Sequence, residues 1–139
     1  MNKYSYDEIS SGQSESFKVK VTEEMLDSFG RITNDTNPLH TSEKYALERG
    51  YSGRVCYGML TASFLSTLAG VYLPGEKSLI HSVKVNFMKP VIVGEVLTVK
   101  GTVQAKDDNF HIITLKTDIY NDNNEKVLRG VMTIGVRNE

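Results

Sequence analysis

Asp35-Thr36-Asn37-Pro38-Leu39-His40 sets a carboxylate five residues before an imidazole, across an Asn-Pro step. On a straight helix that spacing would not bring the two onto one face. Pro38 prevents the helix in any case, because it lacks an N–H and biases Asn37 toward extended backbone. Asn37 can also bond back to nearby backbone. The segment is therefore a shaped loop, able to turn Asp35 and His40 toward one point. Near pH 7 an unperturbed aspartate is ionised, while a histidine with a reference pKa of about 6.5 is mostly neutral and can accept a proton. Aimed at one water, the two make an acid–base pair, and groups so positioned typically contribute ~10²–10⁴-fold to a rate. The plainer alternative stands beside this one: Asp35 fixes a turn, and His40 is an ordinary hydrogen-bonding residue after it.

Other chemistries find less material. The chain has no glycine-rich phosphate loop and no nucleophile elbow. Its one cysteine and three scattered histidines are a poor inventory for a metal site. Cys56 stands near a helix start, where a thiol can be reactive, but its neighbours are apolar and no second thiol exists, which favours a packed side chain. His81 and His111 fall on apolar strand faces, as core or interface histidines do. Lys84, Lys89 and Lys100 read as strand lysines facing solvent and receive no role.

The elements that must position Asp35 and His40 divide the chain into a helical half and a strand half. Phe17, Val19 and Val21 alternate with Lys18 and Lys20, predicting a short strand. Thr22 predicts an N-cap, with Glu23 and Glu24 near the positive helix end and Met25, Leu26, Phe29 and Ile32 as the apolar stripe. That helix stops near Thr33. Ser42 caps a short helix ended by Gly50. A third helix starts at 54–58, runs to about Tyr72 and is closed by Pro74-Gly75. After Gly75 the period becomes two. Leu79, His81, Val83, Val85 and Phe87 share one predicted face. Leu97, Val99, Gly101, Val103 and Ala105 share another, followed by His111, Ile113, Leu115, Thr117 and Ile119, then Leu128, Met132, Ile134 and Val136. Polar turns at 107–109 and 121–124 make this an antiparallel meander. The expected architecture is α+β, a curved antiparallel sheet wrapped around a long helix.

With 139 residues, one domain spanning 1–139 is expected. Sixteen basic and 17 acidic side chains leave a net charge of −1, which gives no basic excess for nucleic acid or an anionic membrane surface. It also gives no obvious patch for an acidic carrier protein. The N-terminus lacks the apolar stretch of a signal peptide, and a lone cysteine fits a reducing compartment, so a cytoplasmic location is expected. Residues 55–73 carry no charge over 19 positions, about the length of a membrane span. Their hydroxyls and glycines, and the strands that follow, favour a buried central helix instead.

The string Asp35-Thr36-Asn37-Pro38-Leu39-His40, Ala46, Gly58-Met59-Leu60 and Ala62-Ser63 resembles the MaoC-like, (R)-specific enoyl-CoA hydratase family of hotdog folds. Pro74-Gly75, Phe87-Met88-Lys89-Pro90-Val91 and Gly94 extend the likeness. It implies that Asp35 and His40 hold a water against the double bond of a trans-2-enoyl thioester, with syn addition to an (R)-3-hydroxyacyl product. It implies that the Gly58 N–H binds the thioester oxygen, a role suited to an unpaired donor at a positive helix end. Ser66 matches a family position near the acid and is a candidate partner for Asp35; the alternative is a bond to its own helix backbone. Asn37 is expected to support loop shape. The family pattern further implies a homodimer paired sheet edge to sheet edge, and no metal or redox cofactor, with coenzyme A or an acyl carrier protein bearing the acyl group and coenzyme A weakly favoured. Two positions depart from the pattern: Asn34 where glycine is frequent, and Tyr57 where histidine is frequent. Thr61 and Ser63 are expected to shorten or polarise the acyl pocket. A hotdog thioesterase using Asp35, and a noncatalytic acyl-thioester binding module, are the rival functions.

Overall fold

The structure, a computed structural model, describes residues 1–138. Alternating strand residues produce one five-stranded antiparallel sheet: β1 (Ser14–Lys20), β2 (Ser78–Phe87), β3 (Val96–Asp107), β4 (Ile112–Tyr120) and β5 (Lys126–Val136), ordered β1-β3-β4-β5-β2. The inward rows of β3, β4 and β5 bury Leu97, Val99, Ile113, Leu115, Ile119, Leu128, Met132 and Ile134 completely. Helix α4 (Gly58–Thr67) continues through a π-helical turn at Leu68–Tyr72 and presents Leu65 and Leu68 to these rows. Full burial of a leucine contributes roughly 1.5–3 kcal/mol. This accounts for the uncharged run at 55–73: the sheet takes up its apolar surface, and among the described residues no helix is long and apolar enough to cross a membrane.

Three further α-helices precede α4: α1 (Glu23–Thr33), α2 (Pro38–Thr41) and α3 (Glu43–Glu48). Thr22 caps α1 by accepting from the Met25 N–H at 3.2 Å, as its position predicted. Of the predicted α1 stripe, Leu26 is buried and Met25 and Phe29 are half-buried, but Ile32 is 79% exposed. Ile32 instead lines an open groove between α1 and α4 with Phe29, Leu60 and Ser63.

Strand β2 differs from its predicted pattern. A register shift between Ile80 and Ser82 inserts an extra residue at His81, and a bulge reverses the faces on either side of it. Ile80, Val83, Val85 and Phe87 consequently pair with the inward row of β5, while Leu79 lies opposite Gly135 on the outer face. His81 is exposed, with its ring over Gly135, and is no core residue. A similar shift at 103–105 leaves Ala105 exposed. His111 lies in the β3–β4 turn, at φ 51°, stacked on Tyr6 with ring centroids 4.4 Å apart. The outer sheet face carries charged side chains: Asp118 lies between Arg129 and Lys100 in cross-strand register, with Lys84 and Lys116 in an adjacent row.

Candidate active site

Asn34 ends α1 in the left-handed conformation (φ 58°, ψ 26°), which asparagine tolerates where most residues do not. The frequent glycine is therefore replaced at little backbone cost, and the chain turns sharply into Asp35. The Asp35 carboxylate then accepts the Asn37 N–H at 3.1 Å, and the Asn37 side chain accepts the Leu39 N–H at 3.0 Å. These consecutive side-chain turns, with Pro38 as first residue of α2, give the loop its shape.

His40 is fixed on three sides by residues 54–57. That segment is held by an isolated bridge between Val55 and Ile92 and by backbone bonds: Val55 donates to the Leu39 carbonyl at 3.1 Å, Cys56 to Val91 at 2.7 Å, and Val93 to Arg54 at 2.9 Å. His40 Nδ1 lies 2.7 Å from the Val55 carbonyl. A carbonyl only accepts, so Nδ1 carries the proton and Nε2 of the neutral ring keeps its lone pair. The buried Arg54 donates Nε to the His40 carbonyl at 2.7 Å and Nη2 to Asp27 at 2.7 Å, tying α2 to α1. Tyr57 packs its ring on that of His40, centroids 4.2 Å apart, and donates its hydroxyl to the Asp35 carbonyl at 2.8 Å. Burial, and next the Asp35 charge, push the Tyr57 phenol up, so it remains a donor at neutral pH.

Gly58 is the first residue of α4, so its N–H has no acceptor within the helix. It shares with His40 a cavity of about 290 Å³, lined also by Thr61, Phe87, Met88 and Pro90. A Cβ at position 58 would stand 3.2 Å from Phe87 Cε1 and take up space in this cavity, so glycine keeps the helix start open. Asp35 opens onto a separate hollow lined by Gly30, Asn34, Thr36 and Tyr57. In one chain, then, His40 and Gly58 share a cavity, and Tyr57 stands between them and Asp35.

Ser66 is exposed and makes no hydrogen bond to Asp35 among the described residues. Thr61 is buried against the cavity, whereas Ser63 is exposed and donates to the Leu60 carbonyl at 2.6 Å, lining a separate groove between α1 and α4. Cys56 is packed as expected: burial pushes its thiol up, and Thr61 donates to its sulfur at 3.5 Å. Lys89, at the cavity rim, is paired with Glu125. Arg54 and Asp27 belong to no motif. The available sign of them was a lone cation bordering a charge-free run, opposite an acid one helical turn into an amphipathic helix.

Residues 8–124 match the family model described as MaoC like domain, and the chain belongs to that family. It is 31% identical over 112 residues to an (R)-specific enoyl-CoA hydratase of Rhodospirillum rubrum, covering 81% of this chain and 78% of that protein. It is 32% identical over 98 residues to a 3-hydroxybutyryl-CoA dehydratase of Methylorubrum extorquens, covering 70% of this chain and 62% of the relative. An unliganded R-hydratase of Pseudomonas aeruginosa superposes with a TM-score of 0.92 at 26% identity, over 97% of this chain and 86% of that one. The sheet wrapped on α4 is thus a hotdog fold.

Proposed function

We propose that this protein is a hydro-lyase that adds water to trans-2-enoyl-coenzyme A thioesters to give (R)-3-hydroxyacyl products, or runs the reverse dehydration. The observation that carries the proposal is the shared cavity of His40, whose Nε2 is free to accept a proton, and Gly58, whose N–H is unpaired, with Asp35 held one tyrosine away. In the forward direction Asp35 and His40 take a proton from water as its oxygen bonds to the β-carbon. The double-bond electrons move to the α-carbon and onto the thioester oxygen, where the Gly58 N–H stabilises the developing enolate. A proton returned to the α-carbon completes the addition. Hydration is redox-neutral, so we assign no electron carrier, and we assign no metal.

We further propose a cytoplasmic homodimer joined along β2. That strand is an open sheet edge, and Val83, Phe87 and Met88 on or beside it are 48%, 51% and 47% exposed in one chain. Long edges bearing apolar side chains call for a partner. Phe87 and Met88 also line the cavity, which supports a site beside the proposed interface. The test is loss of the conjugated enoyl-thioester absorbance of crotonyl-CoA, with Asp35→Asn and His40→Ala measured beside the wild type. Conversion to (R)-3-hydroxybutyryl-CoA, reduced at least ~10²-fold in both variants, is expected. Release of free thiol would instead identify a thioesterase, and full activity in both variants would refute the assigned pair.

A further inference from the structure

The bonds within residues 34–37 are local: Asp35 N–H to Thr33, Asn37 N–H to Asp35, and Leu39 N–H to Asn37. The carbonyl of Asn37 likewise serves His40 and Thr41. Such turns shape a loop without fixing where it lies against the rest of the fold. Among the described residues, one hydrogen bond joins 34–37 to a distant part of the chain, the 2.8 Å contact from the Tyr57 hydroxyl to the Asp35 carbonyl. The same side chain packs on His40, and its backbone immediately precedes Gly58, with its carbonyl accepting the Leu60 and Thr61 N–H groups at 3.0 and 3.1 Å. A second ring, Phe29 of α1, packs against it at 5.0 Å. Tyr57 itself is 2% exposed.

Resting on the hydratase reading, we propose that Tyr57 is a positioning residue for the reaction: it sets Asp35 at a fixed distance from His40 and the Gly58 N–H, and Gly30 is the space its hydroxyl requires. A Cβ at position 30 would lie 2.7 Å from the Tyr57 oxygen but 3.6 Å from Cζ. The first distance forces a shift, and the second is ordinary van der Waals contact. Alanine at 30 therefore conflicts with the hydroxyl and not with the ring. Tyr57 touches none of the reacting atoms in this scheme. It acts through the placement of the two groups that do.

The test is the set Tyr57→Phe, Gly30→Ala and the double variant, assayed with crotonyl-CoA, with amide exchange of the segment around 34–37 followed in parallel. Tyr57→Phe is expected to lower kcat about tenfold, the rate equivalent of one net hydrogen bond, with KM changed less than about twofold. Gly30→Ala is expected to lower kcat further, because the displaced ring also disturbs His40. The double variant is expected to return to the level of Tyr57→Phe, since removing the oxygen removes the conflict. Exchange in the loop should rise in both single variants. A purely structural role gives another pattern: alanine favours a helix over glycine by up to about 1 kcal/mol, so Gly30→Ala would be neutral or stabilising and the two changes would add. An active wild type matched within twofold by Tyr57→Phe, or a double variant carrying the product of both losses, overturns the proposal while leaving the hydratase reading intact. A wild type inactive on enoyl thioesters overturns both, and loop exchange then reports only whether the tether exists.

Discussion

Replacing Arg54 by methionine removes a buried cation whose hydrogen bonds hold His40 and α1 together. Its side chain is 10% exposed, and that of Asp27 is 52% exposed. The two lost bonds are therefore unequal. Asp27 rehydrates once its partner is gone, and a half-exposed pair is worth at most about 1 kcal/mol. The His40 carbonyl sits in a part-buried position and loses a charged donor at 2.7 Å. A hydrogen bond to a charged group contributes about 1.5–3 kcal/mol, and a stranded acceptor costs a comparable amount. Methionine recovers part of this by packing its apolar stem where the arginine stem lay. The net expectation is a loss of about 2–3 kcal/mol for Arg54→Met and under about 1 kcal/mol for Asp27→Ala. Thermal unfolding of this 139-residue chain should then fall by roughly 6–12 °C in the first variant and by 4 °C or less in the second. Loss of crotonyl-CoA hydration should follow the same order, because only Arg54 touches the backbone that carries His40. Equal shifts in the two variants would refute this account: they would show that the exposed ion pair, and not the carbonyl bond, is what Arg54 supplies.

Thr61→Leu should shift the chain-length profile toward shorter enoyl thioesters, because Thr61 is buried against the cavity, while Ser63→Leu, on the exposed side of α4, should leave it unchanged; matching profiles for the two would refute the assignment. Cys56 should resist thiol reagents at pH 8 until the protein unfolds. Burial raises its folded pKa above the ordinary thiol value, so the stability it contributes is complete below the unfolded pKa and is lost as pH rises through the folded one. A denaturant series above pH 9 should accordingly be flatter for Cys56→Ala than for the wild type. Val83→Lys should convert a species of about twice 15.5 kDa into one chain in sedimentation velocity; an unchanged mass would place the dimer contact elsewhere than β2.

Much of the fold was legible because its causes are local in sequence. The inward rows of β4 and β5, and that of β3 as far as Val103, follow a period of two, and α1 begins where Thr22 and its two glutamates predict. Strand β2 was misjudged because Leu79, His81, Val83, Val85 and Phe87 alternate perfectly on paper. Its bulge at His81 is dictated by β5, whose Gly135 leaves the outer face open for an imidazole, and no property of 78–87 alone announces it. Net charge misled in a similar way. A value of −1 conceals the cluster of Lys84, Lys100, Lys116 and Arg129 on one sheet face, so near-neutrality is no guide to whether the acyl carrier is coenzyme A or an acidic protein.

The candidate site divides along the same line. Asp35, Asn37 and His40 lie within six residues, and proline and asparagine chemistry alone predicts the loop that carries them. What gives the neutral His40 ring its tautomer and Asp35 its location comes from 54–57, a segment without charge after Arg54. Its contributions are mostly backbone: the Val55 carbonyl that holds the Nδ1 proton, and the bridge and backbone bonds to 91–93 that hold Val55. A backbone carbonyl leaves no signature in residue types. Tyr57 does leave one, since it departs from the family pattern, and the departure coincides with the one long-range hydrogen bond to the loop among the described residues. A histidine is shorter than a tyrosine by about the reach of that hydroxyl. A chain carrying histidine there must therefore anchor its acid by other means, and the glycine at 30 that makes room for the phenol should lose its steric reason whenever Tyr57 is replaced.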